Sequence, residues 1–130
     1  TQNEKDLLLK DLCARLPYGI KIAMPGLWDS SKITIEPLNE IFKGDDGLFR
    51  ANGNGHCIEY IKPYLFPLSS MTDEQQSEYH NNCDVGLTEW GNELYYDCSE
   101  SFDWLNAHHF DYRGLIKMGL AIDATNKNIY

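Results

Sequence analysis

The spacing of apolar and polar residues predicts a helix at the start of the chain and a strand directly after it. Leucines recur every three or four positions between residues 8 and 16, and acidic residues stand in the first turn. Residues 4–15 are therefore expected to form an amphipathic helix that Asn3 caps and that Pro17 and Gly19 end. Residues 19–24 then alternate apolar and polar side chains, which predicts a half-buried strand.

Residues 32–63 have the pattern of an antiparallel meander. Pro37 separates two short apolar segments, and because proline cannot donate a ladder hydrogen bond it indicates an edge strand or a bulge. The sequences GDDG (44–47) and NGNG (52–55) are typical of hairpin turns, since glycine and asparagine adopt positive φ at little cost. The segment after the second turn, 56–62, is predicted to be a further strand.

The residue pattern changes after residue 63, where it predicts an extended segment followed by a helix. Thr72 and Gln75 have the spacing of a capping box, which predicts a helix over residues 73–82. Residues 83–100 show no clear period, and we interpret them as a loop or a short hairpin.

Two short helices are predicted near the C-terminus. Ser99 or Ser101 is expected to cap a helix that passes through Trp104, and Asp111 is expected to cap a second helix that stops at Gly119. The remaining tail is polar and is expected to fray except at Ile129 and Tyr130. Trp104, Phe110, Leu115 and Ile116 are the expected core residues of this region.

These elements together predict an α+β fold. The expected architecture is an N-terminal helix, an antiparallel sheet of about four or five strands, and short C-terminal helices packed on one face. A chain of 130 residues without a repeat or a linker is expected to form a single domain over 1–130.

Composition predicts a soluble cytoplasmic protein. Apolar residues make up 42% of the chain, and no apolar run approaches the roughly 20 residues that span a bilayer, so no membrane partner is expected. The four cysteines include no CxxC pair, and we expect reduced and mostly buried thiols, with two disulfides as the alternative. These cysteines are Cys13, Cys57, Cys83 and Cys98.

The charge of the chain is strongly uneven. The net charge is −9, and residues 1–62 hold nine acidic and eight basic residues. Residues 63–112 hold ten acidic residues and no lysine or arginine. This block argues against direct nucleic-acid binding, which needs a basic surface to displace counterions from phosphates.

The acidic block is also rich in aromatic residues, and this combination gives our first functional hypothesis. Aromatic rings can anchor a partner while carboxylates steer a basic surface toward them, so the block predicts a non-enzymatic protein–protein interaction surface for a basic or nucleic-acid-binding host protein. The alternative is a solvated acidic face over an aromatic core. The candidate binding residues are Asp73, Glu74, Glu78, Trp90, Glu93, Tyr95, Tyr96, Asp97 and Asp103.

The second functional hypothesis is a small enzyme or ligand-binding protein with a pocket near His108, His109, Asp111 and Arg113. A histidine oriented by Asp111 could act as a general base. The competing interpretation places both histidines at a helix C-terminus, where imidazolium complements the negative end of the helix dipole. Arg113 is then structural, stacked on an aromatic ring or paired with Asp103 or Asp111.

Other chemistries have weaker support in the sequence. His80 and Cys83 have a spacing that metal ligands use on a helix, but no second pair accompanies them, so no metal site and no cofactor are predicted. His56 and Cys57 are adjacent on a predicted strand and would face opposite sides of the sheet. No residue is therefore predicted to be catalytic.

Three segments of the chain resemble a family of short uncharacterised proteins found in gut anaerobic bacteria and their prophages. Residues 7–22, 60–75 and 104–121 carry the motifs PYG, KPYLxPxSSMT and HFDYRGLI followed by GLA. The family pattern has an arginine where this chain has Phe66, and residues 76–100 diverge from it. The resemblance implies no activity. It implies an intracellular role in a mobile-element context, where small acidic proteins act as inhibitors or nucleic-acid mimics.

Overall fold

A computed structural model describes residues 2–25, 32–52, 57–81, 84–87, 94–97 and 99–130. For residues 80–81, 84–87, 94–97 and 99–101 it describes the backbone alone. The helices are α1 (Gln2–Arg15), α2 (Asp73–Asn81) and α3 (Ser99–Ala107). The strands are β1 (Lys21–Pro25), β2 (Ile33–Pro37), β3 (Ile41–Lys43), β4 (Phe49–Ala51), β5 (Lys62–Pro67), β6 (Asp84–Leu87), β7 (Leu94–Asp97), β8 (Phe110–Asp111) and β9 (Ile122–Asp123).

These elements confirm the α+β class, and the main sheet is mixed. Its strand order is β2-β1-β5-β8, and β9 also pairs with β5. The pairs β1–β2 and β1–β5 are antiparallel, whereas β5 runs parallel to both β8 and β9. β2 lies at the edge, as Pro37 predicts, because a residue without an N–H is tolerated there.

Helix α1 packs its leucine face against the sheet. Leu8 and Leu12 are buried together with Ile22 and Met24 of β1 and Leu65 of β5. The helix begins at Gln2, so the predicted cap residue lies inside the first turn. β1 is buried on both faces rather than half-buried, because a second cluster covers its other side. That cluster contains Ala23, Tyr64 and Ala124.

The meander is shorter than the sequence predicts. β3 and β4 form the expected hairpin across the GDDG turn, in which the Gly44 carbonyl accepts a hydrogen bond from Gly47 N–H at 2.9 Å. Asp46 closes the same turn through a double hydrogen bond to Arg50, which holds the pKa of the Asp46 carboxyl well below its usual range. The predicted strand over 56–62 is wrong, since Ile58–Tyr60 form a 3-10 turn that buries Ile58.

Helix α2 begins with the predicted capping box. Thr72 N–H donates to Gln75 Oε1 at 2.9 Å, and Gln75 N–H donates to Thr72 Oγ1 at 3.1 Å. After α2 the chain forms an antiparallel hairpin of β6 and β7, which resolves the choice between a loop and a hairpin for 83–100. Helix α3 follows and packs against α2.

The second C-terminal helix, predicted over 111–119, is wrong. Asp111 does cap backbone groups, since its two carboxylate oxygens accept hydrogen bonds from the N–H groups of Leu115 and Ile116. The segment nevertheless forms consecutive turns rather than a regular helix. Gly114 and Gly119 both have φ of 77°, a left-handed conformation that interrupts helical winding.

The core residues expected in this region are largely buried. Trp104, Phe110 and Leu115 are buried, and Ile116 is half-buried. Cys13 and Cys57 are free thiols, but Cys13 is exposed, which contradicts the expectation of burial for that residue. Cys83 and Cys98 lie outside the described residues.

Candidate functional site

The C-terminal end of α3 carries both histidines of the predicted pocket. His108 N–H donates to the Trp104 carbonyl at 3.0 Å, and His109 N–H donates to the Asn106 carbonyl at 3.2 Å. The histidines therefore follow the helix end, as one interpretation of the sequence predicts. His109 has φ of 64°, in the left-handed region that a helix usually reaches with glycine or asparagine.

The imidazole of His109 is held between the sheet and the last residue of the chain. Its ring stacks on Tyr130 with 4.0 Å between ring centroids and 16° between planes. Its backbone carbonyl accepts a hydrogen bond from Phe66 N–H of β5 at 2.8 Å. Within the part of the chain that the structure describes, Nδ1 of His109 is buried and has no hydrogen-bond partner.

His109 is a neutral imidazole at pH 7. Burial lowers its pKa from 6.5 to about 4, and the positive charges of Arg15, His108 and Lys21 act in the same direction. The expectation that an imidazolium complements the helix dipole is therefore wrong for this residue. A neutral imidazole donates a hydrogen bond from one ring nitrogen and accepts one at the other, so it can recognise a ligand that offers both groups.

Tyr130 is fixed by polar contacts to neighbouring backbone groups of β1 and β5. Its hydroxyl donates to the Tyr64 carbonyl at 2.8 Å and accepts a hydrogen bond from Lys21 N–H at 2.9 Å. The Lys21 ammonium donates to the Ile129 carbonyl at 2.8 Å. Burial raises the pKa of Tyr130 to about 12, so the phenol stays protonated. These contacts involve Ile129 and Tyr130, the two tail residues that are not expected to fray.

A cavity of about 470 Å³ lies beside this stacked pair. The end of β5, the start of α2, the end of α3 and the turn after β9 all contribute to its wall. Aromatic rings form one part, and hydroxyl, amide and imidazole groups form another. Its lining residues are Phe66, Ser70, Gln75, Ala107, His108, His109, Phe110, Thr125, Asn126 and Tyr130.

Only two of the four residues predicted around the pocket line this cavity. His108 and His109 do, whereas Asp111 and Arg113 do not. Asp111 directs its carboxylate to the backbone of the following turn. It therefore does not orient either histidine as a general base would require, and the predicted role of Asp111 in the pocket is wrong.

Arg113 belongs to a charged cluster under α1. Its Nη1 lies 2.6 Å from Asp11 Oδ1, and its guanidinium carbon lies 4.5 Å from the centre of the Tyr112 ring. Stacking on an aromatic ring is thus confirmed. The acidic partner is Asp11, 102 residues away in sequence, rather than either of the two predicted aspartates.

The same cluster positions one wall of the cavity. Asp11 and Arg15 are both fully buried, and Asp11 Oδ2 accepts a hydrogen bond from Arg15 Nε at 2.9 Å. Arg15 Nη2 donates to the Phe110 carbonyl at 2.6 Å. Because Phe110 follows His109 directly, this buried ion pair fixes the segment that carries the imidazole.

The structure describes part of the predicted acidic surface. Asp73, Glu74 and Glu78 on α2 and Asp103 on α3 are exposed, and the two helices are neighbours. Trp90 and Glu93 lie outside the described residues. Tyr95, Tyr96 and Asp97 lie on β7, where the structure describes the backbone alone.

Sequence reasoning missed several residues of the cavity wall. Phe66, Thr125, Asn126 and Tyr130 come from distant segments, and no local pattern joins them. One signal was available: the capping box places Gln75 in the first turn of α2, close in sequence to Ser70 at the end of the 3-10 turn Leu68–Ser70.

The described residues give no sign of a metal site or a membrane helix. No group of three or more His, Cys, Asp or Glu side chains among them is arranged to hold a metal ion. His80 and Cys83 cannot be placed in such a site, because their side chains are outside the described set. In the same part of the chain, none of the helices has both the length and the apolar character for a membrane crossing. No protein-family model, curated protein or solved structure matches the chain.

Proposed function

We propose that this protein binds a small uncharged organic ligand with a flat ring in the cavity beside His109 and Tyr130. The observation that carries the proposal is the placement of His109. Its ring lines the cavity and stacks on Tyr130, and its pKa of about 4 keeps the imidazole neutral at pH 7. A neutral imidazole beside aromatic rings suits a flat, uncharged ligand that hydrogen-bonds along its edge.

The backbone of His109 supports the same proposal. A non-glycine residue in the left-handed conformation costs about 1–2 kcal/mol, and glycine or asparagine would lower that cost. Histidine adopts this conformation more readily than most non-glycine residues, and here the conformation brings the imidazole to the cavity wall. Strained residues of this kind concentrate at ligand sites, where the surrounding structure holds them in place.

The lining of the cavity favours an uncharged, planar ligand. The rings of Phe66, Phe110 and Tyr130 offer flat apolar surface, while Gln75 and Asn126 bring amide groups that can both donate and accept hydrogen bonds. No carboxylate, lysine or arginine belongs to the described lining. A volume of about 470 Å³ lies within the range of roughly 300–1,000 Å³ that is usual for small-molecule sites.

Ligand titration followed by NMR tests the proposal. Adenine, nicotinamide and indole are suitable uncharged ring probes, and the amide signals of residues 107–110 and 125–126 are the expected reporters. The variant His109→Asn keeps a residue that tolerates positive φ but removes the ring nitrogens. It is expected to weaken binding by at least about tenfold, which corresponds to about 1.4 kcal/mol.

The variant Met118→Asn serves as the control. It introduces the same side chain at an exposed position outside the cavity lining, and it is expected to leave binding unchanged. Two results would contradict the proposal. One is the absence of any probe binding to the wild-type protein, and the other is equal binding by the wild type and His109→Asn.

A second candidate function is an interaction with a basic protein through α2 and α3. The observation that favours it is the packing of these two helices, which carry the exposed residues Asp73, Glu74 and Asp103 in a segment without lysine or arginine. Such a surface would steer a basic partner by long-range attraction. The resemblance to prophage-associated proteins is compatible with an inhibitor or nucleic-acid mimic, and it stays a hypothesis.

Charge reversal tests the second candidate. A fluorescent deca-arginine peptide at physiological salt is a suitable probe, and replacing Asp73, Glu74 and Asp103 with lysine is expected to abolish its binding. The control replaces three exposed acidic residues elsewhere, Asp6, Glu40 and Asp45. An equal loss in both variants would show that net charge alone attracts the peptide, and the second candidate would then be wrong.

A further inference from the structure

The edge strand β2 exposes an apolar face, and one side of its backbone has no partner strand among the described residues. Ile33 is 59% exposed and Ile35 is 50% exposed, although isoleucine is usually among the most buried residue types. β1 is the only strand that pairs with β2 among the described residues. An unpaired edge of this kind is a template for a further strand.

The proline positions determine which backbone groups of β2 point outward. In an antiparallel pair, hydrogen-bonded residue pairs alternate with pairs that are not hydrogen-bonded. Pro37 lies opposite Lys21, whose N–H donates to Tyr130, and Pro25 lies opposite Ile33. These pairs are therefore not hydrogen-bonded, and the N–H and C=O groups of the odd-numbered residues of β2 face away from β1.

A backbone hydrogen bond just beyond β2 confirms this assignment. Leu38 N–H donates to the Ile20 carbonyl at 2.8 Å. The N–H and C=O groups of the even-numbered residues of β2 therefore point toward β1. The outward carbonyl of Pro37 is already occupied, because it accepts a hydrogen bond from Asn52 Nδ2 at 2.8 Å. The outward groups of Ile33 and Ile35 have no such partner within the described chain.

The sequence of this edge is complementary to itself in one antiparallel register. When Thr34 lies opposite Thr34 of a second copy, Ile33 lies opposite Ile35 and Lys32 lies opposite Glu36. Both isoleucine pairs then use their outward N–H and C=O groups, which gives four backbone hydrogen bonds. Both Lys32–Glu36 pairs are attractive, and the isoleucines of the two copies lie on the same face of the sheet.

A shift of this register removes the complementarity. Placing Ile35 opposite Ile35 would bring Ile33 opposite Pro37, which has no N–H and whose carbonyl is taken by Asn52. Lys32 would then face Leu38 rather than a carboxylate. Of these two registers, only the one centred on Thr34 satisfies both the charges and the backbone groups.

We infer that β2 pairs with β2 of a second copy of this chain, in the register centred on Thr34, to form a two-fold dimer with one continuous sheet. The contact is isologous, as most homodimer interfaces are. In it, four isoleucine side chains extend the apolar surface beside Ala23, which lies opposite Ile35 on the same face of the sheet. This inference is independent of the ligand proposed for the cavity.

Sedimentation equilibrium with charge variants tests the inference. The wild-type chain is expected to associate between about 10 μM and about 1 mM, the range for a small interface. Lys32→Glu places two carboxylates opposite each other at both ends of the contact, and Glu36→Lys places two ammonium groups together there. Each single reversal is expected to raise the dissociation constant by at least about tenfold, or about 1.4 kcal/mol.

Two further samples distinguish the β2 pairing from a general charge effect. The double variant Lys32→Glu/Glu36→Lys restores both opposite-charge pairs and is expected to dimerise like the wild type. An equimolar mixture of the two single variants is expected to form a heterodimer, because every charged pair in it is attractive. Lys10→Glu, an equal charge change at an exposed position of α1, is the control and is expected to have no effect.

Amide hydrogen exchange locates the contact. The outward N–H groups of Ile33 and Ile35 are expected to become protected as the concentration rises, while the inward N–H of Thr34 is expected to be protected at every concentration. Three results would overturn the inference. These are a wild-type chain that stays monomeric at about 1 mM, a dimer that the single reversals do not weaken, and a double variant that fails to recover association.

Discussion

Lowering the pH is expected to destabilise this fold through His109. In the folded protein the pKa of His109 is about 4, against its usual 6.5, chiefly because the ring is buried. Between these two values the unfolded chain binds a proton that the folded chain does not bind. The contribution of His109 to stability is therefore greatest above pH 6.5 and falls as the pH decreases toward 4, since stability rises with pH wherever the unfolded state binds more protons.

The size of the effect follows from the shift and from the environment of the ring. A folded-state pKa about 2.5 pH units below the usual value corresponds to an upper limit of about 3 kcal/mol at about 1.4 kcal/mol per unit. The imidazole is only partly buried, and solvent screens part of this energy. We therefore expect His109 to account for a loss of about 1–2 kcal/mol between about pH 7.5 and about pH 4.5.

Urea unfolding at several pH values measures this loss. Tryptophan fluorescence is a suitable signal, because Trp104 is buried and packs within 5.7 Å of the Phe110 ring. The wild type is compared with His109→Asn, which removes the titrating group and keeps a residue suited to positive φ. The difference between the two pH profiles excludes contributions from the acidic residues, which both proteins share.

As the pH decreases from 6.5 toward 4, the free energy of unfolding of the wild type is expected to fall more than that of His109→Asn. Parallel profiles over this range would refute the reasoning, since they would show that His109 has the same pKa in both states. An NMR titration of the His109 ring provides a direct check. A midpoint near 6.5 in the folded protein would also contradict the argument.

Two other substitutions test the contacts that hold the site in place. Asp11→Asn leaves two guanidinium groups without their buried carboxylate and is expected to lower the free energy of unfolding by about 3–5 kcal/mol. Its control, Asp6→Asn on the exposed side of α1, is expected to change stability by less than about 0.5 kcal/mol, and a similar loss in both would contradict a special role for Asp11. Thr72→Ala removes the cap oxygen from α2 and is expected to cost about 1 kcal/mol, whereas Thr72→Ser should restore it. Equal urea midpoints for the alanine and serine variants would refute the capping argument.

Features that depend on residues close together in the chain could be predicted from the sequence alone. The leucine spacing specifies α1, because residues three and four positions apart share one face of a helix. The box of Thr72 and Gln75 specifies the start of α2, since each side chain reaches a backbone group only three residues away. Pro37 indicates an edge strand or a bulge, because it cannot donate a ladder hydrogen bond, and β2 lies at the edge.

Local patterns were insufficient where a competing contact came from elsewhere in the fold. Residues 111–119 carry a helical pattern, but Phe110 and Asp111 pair with Phe66 and Pro67 as a short parallel strand. Two glycines with positive φ then interrupt the following turns. The segment therefore buries Leu115 although it does not form a regular helix.

The composition of the candidate site depends on tertiary packing. The sequence predicts one pocket for His108, His109, Asp111 and Arg113, because these residues are close together in the chain. Folding instead places His109 against Tyr130 and places Arg113 against Asp11. The physical reason is that neither a ring stack nor a buried ion pair has a local spacing rule. Each depends on which surfaces meet when α1, β5 and the C-terminal segment pack together.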